Sequence, residues 1–516
     1  MSISHSSNRS LVLGAAINWA AFAATMAVSF FLAPYFIHAL GDARYGVWCV
    51  VESILAYFTL FDLGIAACLV RFVAKHHAVN ERTELNKIVS ACLVIFSYAA
   101  GCVLLLGGAL VPIVAPGLER KLGESGDVAP FMLLMLANLA ITLPLSVFPT
   151  ILDGLQRFGV KSAMRLLFLG GRVGGIVYVM ETQPGLLSLA IAYTIANLLE
   201  QAAMAWLSFR YLPGLQISRQ LVDRPTLKQV RGYSVDAFLA MLSGRITVQT
   251  GAIVVGGFLT AASAAHYAIA ARLVEVAKNL LRSVTTTLTP AVSEREARGD
   301  VVGVRRVLLD GTRCVLYLVL PVHLGLLFFG KPFLAKWIGV EEYADWCFPA
   351  TAILSATLTI GVAQSVAARI LYGLGKLTLF ARLSLVEAVL NLALCLSLVG
   401  PFGLTGVAIA VAVPNVLFCL FAIGYSCRVL DVPIGRYLVQ AWFKPMLLAS
   451  LPAVIWWFST PVSASWTEIT LGIGLGLLPY AVCLAGVELL PRIALFGKGI
   501  RSPRALPQPS FEVPRA

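Results

Sequence analysis

The chain has 516 residues, of which 59% are hydrophobic and 13% charged, and its mean hydropathy is +0.85. About a quarter of the residues of a soluble globular domain are charged, so this composition excludes an ordinary soluble fold. The net charge of +13 excludes less, because basic proteins include both nucleic-acid binders and membrane proteins with basic loops.

Apolar runs long enough to cross a bilayer recur along the whole chain. A transmembrane helix needs about 20 mostly apolar residues, and lipid excludes open sheet edges. The sequence therefore predicts an all-α, polytopic membrane protein with about fourteen transmembrane helices. The predicted spans are 11–38, 46–70, 88–113, 130–151, 163–180, 187–208, 234–257, 264–288, 307–329, 346–372, 379–399, 403–427, 441–459 and 467–489.

The basic residues are divided unevenly between the two sides of this predicted bundle. Most of the 39 lysines and arginines fall in connections on the side of the N-terminus, and the other side holds Arg44, Arg120, Lys121, Lys331 and Lys336. Because basic connections stay in the cytoplasm, we predict that both termini are cytoplasmic. The net charge is then a topology signal, and no basic soluble domain is left to bind nucleic acid.

A weak internal repeat divides the spans into two halves. A short turn precedes Tyr45 after span 1, and a similar turn precedes Tyr267 after span 7. Two halves of the same orientation are typical of transporters that bind substrate between them. We predict an N-lobe (1–212), a cytoplasmic linker (213–233), a C-lobe (234–430), a C-terminal helix pair (431–490) and a disordered cytoplasmic tail (491–516).

Motifs for covalent or ATP-driven chemistry are missing from the sequence. It contains no phosphate-binding glycine loop followed by Lys-Ser or Lys-Thr, no His-Glu-x-x-His and no nucleophile elbow. His323 is the only histidine deep in a predicted span, and the outer connections are too short for a catalytic domain. We predict no enzyme, metal or cofactor, and we keep a membrane polymerase or acyltransferase as the less favoured reading.

Charged residues inside the spans are the candidates for a functional site, because an ion in hydrocarbon is costly unless it has a role. Arg172, Arg245 and Arg272 lie at mid-span. Glu275 follows Arg272 by three residues and Gln249 follows Arg245 by four, so each shares a helical face with its arginine. We predict a water-filled, cationic central cavity. Its predicted substrate-binding residues are Arg172, Arg245, Arg272, Glu275, Glu52 and Gln249.

The charge pattern favours a phosphate ligand but leaves an alternative open. Arginine suits phosphate because its planar fork makes paired, charge-assisted hydrogen bonds. Alternatively, each arginine forms an internal ion pair that locks helices together, such as Arg272 with Glu275 or Glu52. The residues predicted to serve coupling or gating are Asp62, Glu387 and Asn391.

Several stretches of the chain resemble one family. Residues 41–48 read GDARYGVW, 61–65 read FDLGI, 387–392 read EAVLNL and 403–410 read GLTGVAIA. These stretches, in this order, resemble the polysaccharide (lipid-linked oligosaccharide) flippase branch of the multidrug/oligosaccharidyl-lipid/polysaccharide exporter superfamily. The resemblance covers essentially the whole chain.

The resemblance implies a flippase of the bacterial cytoplasmic (inner) membrane. Such a protein moves an undecaprenyl-diphosphate-linked oligosaccharide from the cytoplasmic to the outer leaflet for surface or extracellular polysaccharide. Its partners would be that lipid-linked oligosaccharide, a polysaccharide polymerase and chain-length machinery, and we expect a monomer. A small-molecule or drug cation antiporter is the alternative, although span 1 lacks the carboxylate common in the drug-exporting branch.

Overall fold

The computed structural model describes residues 4–62, 64–123, 126–226, 235–376, 378–459 and 465–489. Within these ranges the chain is helical, with short 3-10 and π segments and no β-strand. The predicted tail (491–516) lies outside the described residues, and so do residues 227–234 of the predicted linker.

The helices follow one another with short connections. Before the linker come α1 (Ser4–Leu40), α2 (Asp42–Phe58), α3 (Ile65–Ala78), α4 (Arg82–Leu122), α5 (Val128–Leu145), α6 (Val147–Gly154), α7 (Phe158–Thr182) and α8 (Leu186–Tyr211). After it come α9 (Val235–Phe258), α10 (Ala261–Ser283), α11 (Leu288–Ala297), α12 (Val301–Ile338), α13 (Glu341–Gly373) and α14 (Thr378–Val429). The C-terminal pair consists of α15 (Ile434–Tyr437), a π segment (Leu438–Phe443), α16 (Lys444–Ser459) and α17 (Trp466–Leu484).

Eleven segments of the described chain are long and apolar enough to cross a membrane. One of them, α14, has 52 residues and is broken at Gly403, whose φ of 55° is left-handed, so it supplies two spans. Helices α9 and α10 lie outside the eleven and occupy predicted spans 7 and 8, which gives the expected fourteen. The prediction of an all-α, multi-span membrane protein is confirmed.

Predicted span 2 is not one continuous helix. A 3-10 turn (Thr59–Asp62) follows α2, and Gly64 then adopts a φ of 76° before α3 begins. Glycine tolerates this left-handed conformation because it has no Cβ. The Ala66 N–H donates a 3.1 Å hydrogen bond to the Asp62 carboxylate. Asp62 therefore satisfies an amide at the start of α3 that the helix leaves unpaired.

The helices before and after the linker form two bundles. Apart from α2, the helices of the first bundle (α1–α8) pack mainly on one another, and so do the helices of the second bundle (α9–α14). Between the bundles, α2 packs against α9 and α10, and α1 packs against α10 and α12. The interface thus brings predicted spans 1 and 2 against spans 7 and 8, which carry most of the candidate charges.

The two bundles approach most closely at the end that holds the turns at Gly41 and at residues 259–260, which we call the closed end. A Cβ on Gly46 of α2 would lie 1.8 Å from the Ala261 carbonyl oxygen of α10, so only glycine permits this approach. The His38 Nε2 lies 2.6 Å from the carbonyl oxygen of Ile338 in the second bundle.

A lysine completes the contact at the closed end. The Lys121 Nζ, at the end of α4, donates to the carbonyl oxygens of Gly256, Gly257 and Leu259 at 2.7, 2.5 and 2.7 Å. A cation is favourable there because the last carbonyls of a helix carry partial negative charge. The hydrogen bonds and ion pairs that join described residues of the two bundles include contacts at the closed end and contacts beside the cavity.

The C-terminal pair is attached to the second bundle through Trp456 of α16. This side chain is fully buried, and its ring meets Phe329 of α12 edge-on at 5.7 Å. Its Nε1 donates a 2.9 Å hydrogen bond to the Gly472 carbonyl oxygen of α17. One tryptophan therefore contacts both α12 and α17.

Replacing this tryptophan should loosen the pair. We expect Trp456→Ala to cost about 3–5 kcal/mol of stability, the usual effect of removing a buried aromatic side chain. Thermal unfolding of the purified protein measures the change. Trp457→Ala is the matched control, because Trp457 is 73% exposed and its loss should change stability by less than about 0.5 kcal/mol. Equal melting temperatures for the two variants would contradict this account of the attachment.

Candidate functional site

A cavity of about 440 Å³ lies between the two bundles. Helices α1 and α2 form one wall, and α9, α10, α13 and α14 form the rest. The predicted substrate-binding residues that line it are Arg245, Arg272, Glu275, Glu52 and Gln249. The charged residues at mid-span in the sequence thus indicate that α2, α9 and α10 border this cavity.

Arg272 connects the two bundles across the cavity. Its Nη2 lies 3.7 Å from a Glu52 carboxylate oxygen of α2, and its Nη1 donates to the Ser29 carbonyl oxygen of α1 at 3.3 Å. The side chains of Arg272 and Glu52 are 29% and 54% exposed. The ion-pair alternative for Arg272 is therefore realised with Glu52, in a pair that an anion in the cavity can reach.

The polar face of α10 continues beyond Arg272. The Asn279 amide donates a 3.1 Å hydrogen bond to Glu275, as their spacing of four residues predicts. Lys278 also lines the cavity, although the sequence reading did not select it. Its spacing of three from Glu275 is the signal that would have found it.

Arg172 lies away from the other two mid-span arginines. Its Nη2 is 2.6 Å from a Glu200 carboxylate oxygen, and its guanidinium lies 5.1 Å from the centre of the Tyr193 ring. Both partners belong to α8, so Arg172 forms an ion pair inside the first bundle. The expectation that it lines the central cavity is corrected, because depth in a span does not fix the direction in which a side chain points.

The three residues predicted to serve coupling or gating do not form one group. Asp62 bonds the start of α3, as described above. Glu387 is 8% exposed and accepts hydrogen bonds from Asn415 at 2.8 Å and Thr247 at 3.5 Å. Because Asn415 and Thr247 both line the cavity, Glu387 lies directly behind its wall.

Asn391 lies deeper in the second bundle than Glu387. It is fully buried, and its Oδ1 accepts a 3.5 Å hydrogen bond from the Cys395 thiol. Its Nδ2 has no hydrogen-bond partner among the described residues. Of the predicted coupling residues, Glu387 is therefore the one with contacts to cavity-lining side chains.

The histidine considered for catalysis lies in a simple polar contact. The His323 Nδ1 is 2.8 Å from the Thr359 hydroxyl. Within the described ranges, no group of three or more His, Cys, Asp or Glu side chains is arranged to hold a metal. The charged and polar side chains of the cavity wall can recognise a ligand by charge and hydrogen bonding.

Comparison with known proteins gives a consistent family. A family model described as "Lipid II flippase MurJ" matches residues 64–475. The chain is 22% identical over 453 residues to the "Probable low-salt glycan biosynthesis flippase Agl15" of Haloferax volcanii, covering 86% of this chain and 89% of that protein. It is 23% identical over 394 residues to the "Putative O-antigen transporter" of Shigella flexneri, covering 75% and 90%.

A solved structure shares the fold. A lipid II flippase MurJ in an inward closed conformation is similar with a TM-score of 0.70 and 13% identity, over 93% of this chain and 99% of that chain. The family match covers well over half of the present chain and includes α9 and α10, which carry Arg245 and Arg272. The chain belongs to the lipid II flippase MurJ family.

Proposed function

We propose that this chain flips an undecaprenyl-diphosphate-linked oligosaccharide from the cytoplasmic to the outer leaflet of the bacterial cytoplasmic membrane. The observation that carries the proposal is the cavity between the bundles, whose wall holds Arg245, Arg272 and Lys278 against Glu52 and Glu275. The excess of positive charge favours an anionic group such as a diphosphate. Membership of a flippase family, and relatives named as a glycan flippase and an O-antigen transporter, support this substrate class.

Arg272 is the residue that we place at the diphosphate. Phosphate oxygens bind a guanidinium through paired, charge-assisted hydrogen bonds, so they compete with Glu52 for the same donors. Because Glu52 belongs to the first bundle and Arg272 to the second, a bound diphosphate weakens a link between the bundles. Substrate binding thereby favours the rearrangement that transport needs.

The closed end faces the outer side of the membrane in this proposal. The basic connections at the opposite end, with residues such as Arg82 and Arg295, then lie in the cytoplasm as the positive-inside rule requires. Substrate enters from that end, and transport opens the closed end while the opposite end closes. Rocking of two bundles around a central site is the usual form of alternating access.

Export in cells separates this function from drug export. Deletion of the gene in its host should stop export of one polysaccharide and leave sensitivity to cationic drugs unchanged. A plasmid copy of the wild-type chain should restore the polymer. The proposal is wrong if deletion leaves polymer export intact and makes the cells sensitive to cationic drugs.

Glu387 is our candidate for coupling to a driving ion. Glu387→Gln removes the charge but keeps an acceptor oxygen for Asn415, so we expect normal protein levels and a flipping rate that no longer responds to an imposed proton or sodium gradient. Glu387→Leu is the comparison variant. It leaves the buried Asn415 amide unpaired and should cost about 1–3 kcal/mol of stability. Proteoliposomes with and without each gradient measure the response, and an unaltered response in Glu387→Gln assigns Glu387 a structural role instead.

A further inference from the structure

Two basic side chains of α10, Lys278 and Arg282, lie next to α13. Lys278 lines the cavity, and Arg282 follows four residues later on the same helical face. A Cβ on Gly361 of α13 would lie 3.5 Å from the Lys278 Nζ and 3.6 Å from the Arg282 Nη2. The two cationic groups therefore lie close together beside Gly361 of α13, which has no side chain.

Neither cation is neutralised by a close carboxylate. In the part of the chain that the structure describes, Lys278 and Arg282 have no carboxylate oxygen within 4.0 Å. The two carboxylates that act on Lys278 from a distance are engaged elsewhere, Glu275 with Asn279 and Glu387 with Asn415. The charges on α10 are thus left available to a ligand.

The arrangement is unfavourable without an anion. Like charges repel strongly in a medium of low dielectric constant, and a buried donor without a partner carries its own desolvation cost. The Arg282 Nε is such a donor, since it is buried and has no hydrogen-bond partner among the described residues. A carboxylate or phosphate bound between Lys278 and Arg282 removes both penalties.

This pair is separate from the proposed diphosphate position. Lys278 and Arg282 follow Arg272 by six and ten residues, which is about 9 and 15 Å along a helix that rises 1.5 Å per residue. One phosphate group does not reach from Arg272 to Arg282. The cavity wall also carries Asn279 and Thr357, whose side chains can hydrogen-bond sugar hydroxyls.

We propose that Lys278 and Arg282 form a second anion-binding position, which takes a carboxylate or phosphate substituent on the sugar portion of the substrate. This inference rests on the proposed flippase function, in which Arg272 takes the diphosphate. It narrows the substrate class to acidic oligosaccharides. Gly361 is the residue that makes room for the two cations.

Binding of two defined probes to the full chain in nanodiscs tests this assignment. One probe is an undecaprenyl-diphosphate-linked disaccharide that ends in glucuronic acid, and the other ends in glucose. The wild-type chain should bind the acidic probe about tenfold more tightly, the effect of one hydrogen bond between charged groups. Arg282→Gln should reduce this ratio toward one and leave the affinity for the neutral probe unchanged, and Lys278→Gln should weaken the acidic probe more than the neutral one.

Two controls keep the outcomes distinct. Lys278→Arg retains the charge and should retain the preference, and unchanged binding of the neutral probe shows that the Arg282→Gln chain is folded. Equal weakening of both probes by Lys278→Gln would overturn the assignment, because the cation would then contact the diphosphate, and so would an unchanged ratio. Arg272→Gln should weaken both probes alike. If neither probe binds the wild-type chain, the flippase proposal itself fails.

Discussion

Arg272→Gln should lower polysaccharide export by about 100-fold while the protein remains in the membrane. Arg272 belongs to the second bundle and contacts the first bundle across the cavity, through Glu52 and Ser29. Glutamine offers neither the charge nor the paired donors that a diphosphate oxygen needs. Loss of about 3 kcal/mol of charge-assisted hydrogen bonding corresponds to roughly that factor.

Arg172→Gln is the matched comparison, because both arginines lie at mid-span and only one lines the cavity. Removing Arg172 leaves Glu200, whose side chain is 12% exposed, without its partner. The loss of one member of a buried pair costs about 3 kcal/mol of stability. We therefore expect a lower melting temperature and lower protein level, with normal export per molecule.

Export normalised to the amount of protein in the membrane separates the two effects. Arg272→Gln should fall in the normalised value, whereas Arg172→Gln should fall only in protein level and melting temperature. An equal loss per molecule in both variants would mean that the cavity is not the place where the mid-span charges act.

The second large effect concerns the closed end. Gly46→Val should keep the two bundles apart there, since even a Cβ at this position would lie 1.8 Å from the Ala261 carbonyl oxygen. We expect export to fall at least about tenfold, because a transporter confined to one state cannot complete its cycle. Gly101→Val is the matched control, since nothing lies within 4 Å of a Cβ at Gly101 of α4.

Labelling of an introduced cysteine shows whether the closed end has opened. Ala265 of α10 is fully buried, and its backbone nitrogen would lie 3.3 Å from a Cβ on Gly46. With Ala265→Cys added, a membrane-impermeant maleimide applied outside should label the Gly46→Val chain and spare the Gly101→Val chain. The chain without Ala265→Cys gives the background from its ten native cysteines. Equal labelling of both valine variants would contradict the role given to Gly46.

Helix number and fold class could be predicted from the sequence because lipid imposes a simple rule. An apolar run must be a helix, and its length sets the number of spans. The break between α2 and α3 was not predictable from hydropathy, because it depends on the φ of Gly64 and on a hydrogen bond from Ala66 to Asp62. Both are local events that leave the apolar content of the run unchanged.

Part of the candidate site could also be predicted, because helical spacing is read directly from the sequence. Spacing along α10 placed Arg272 and Glu275 on one face, and both line the cavity. Spacing says nothing about which helix packs against that face. The pairing of Arg172 with Glu200, and the position of Lys278 beside Gly361, depend on contacts between helices distant in the sequence.

The central claim is that this chain moves a lipid-linked oligosaccharide across a bilayer, and reconstitution tests it most directly. Purified chain in liposomes is given an undecaprenyl-diphosphate-linked oligosaccharide with a fluorescent sugar, and a membrane-impermeant quencher is then added outside. Without transport, the inner-leaflet pool stays protected. We predict that the wild-type chain exposes this pool within the assay, while liposomes with the Arg272→Gln chain keep it protected as protein-free liposomes do. Protection that is equal in wild-type, Arg272→Gln and protein-free liposomes would contradict the claim.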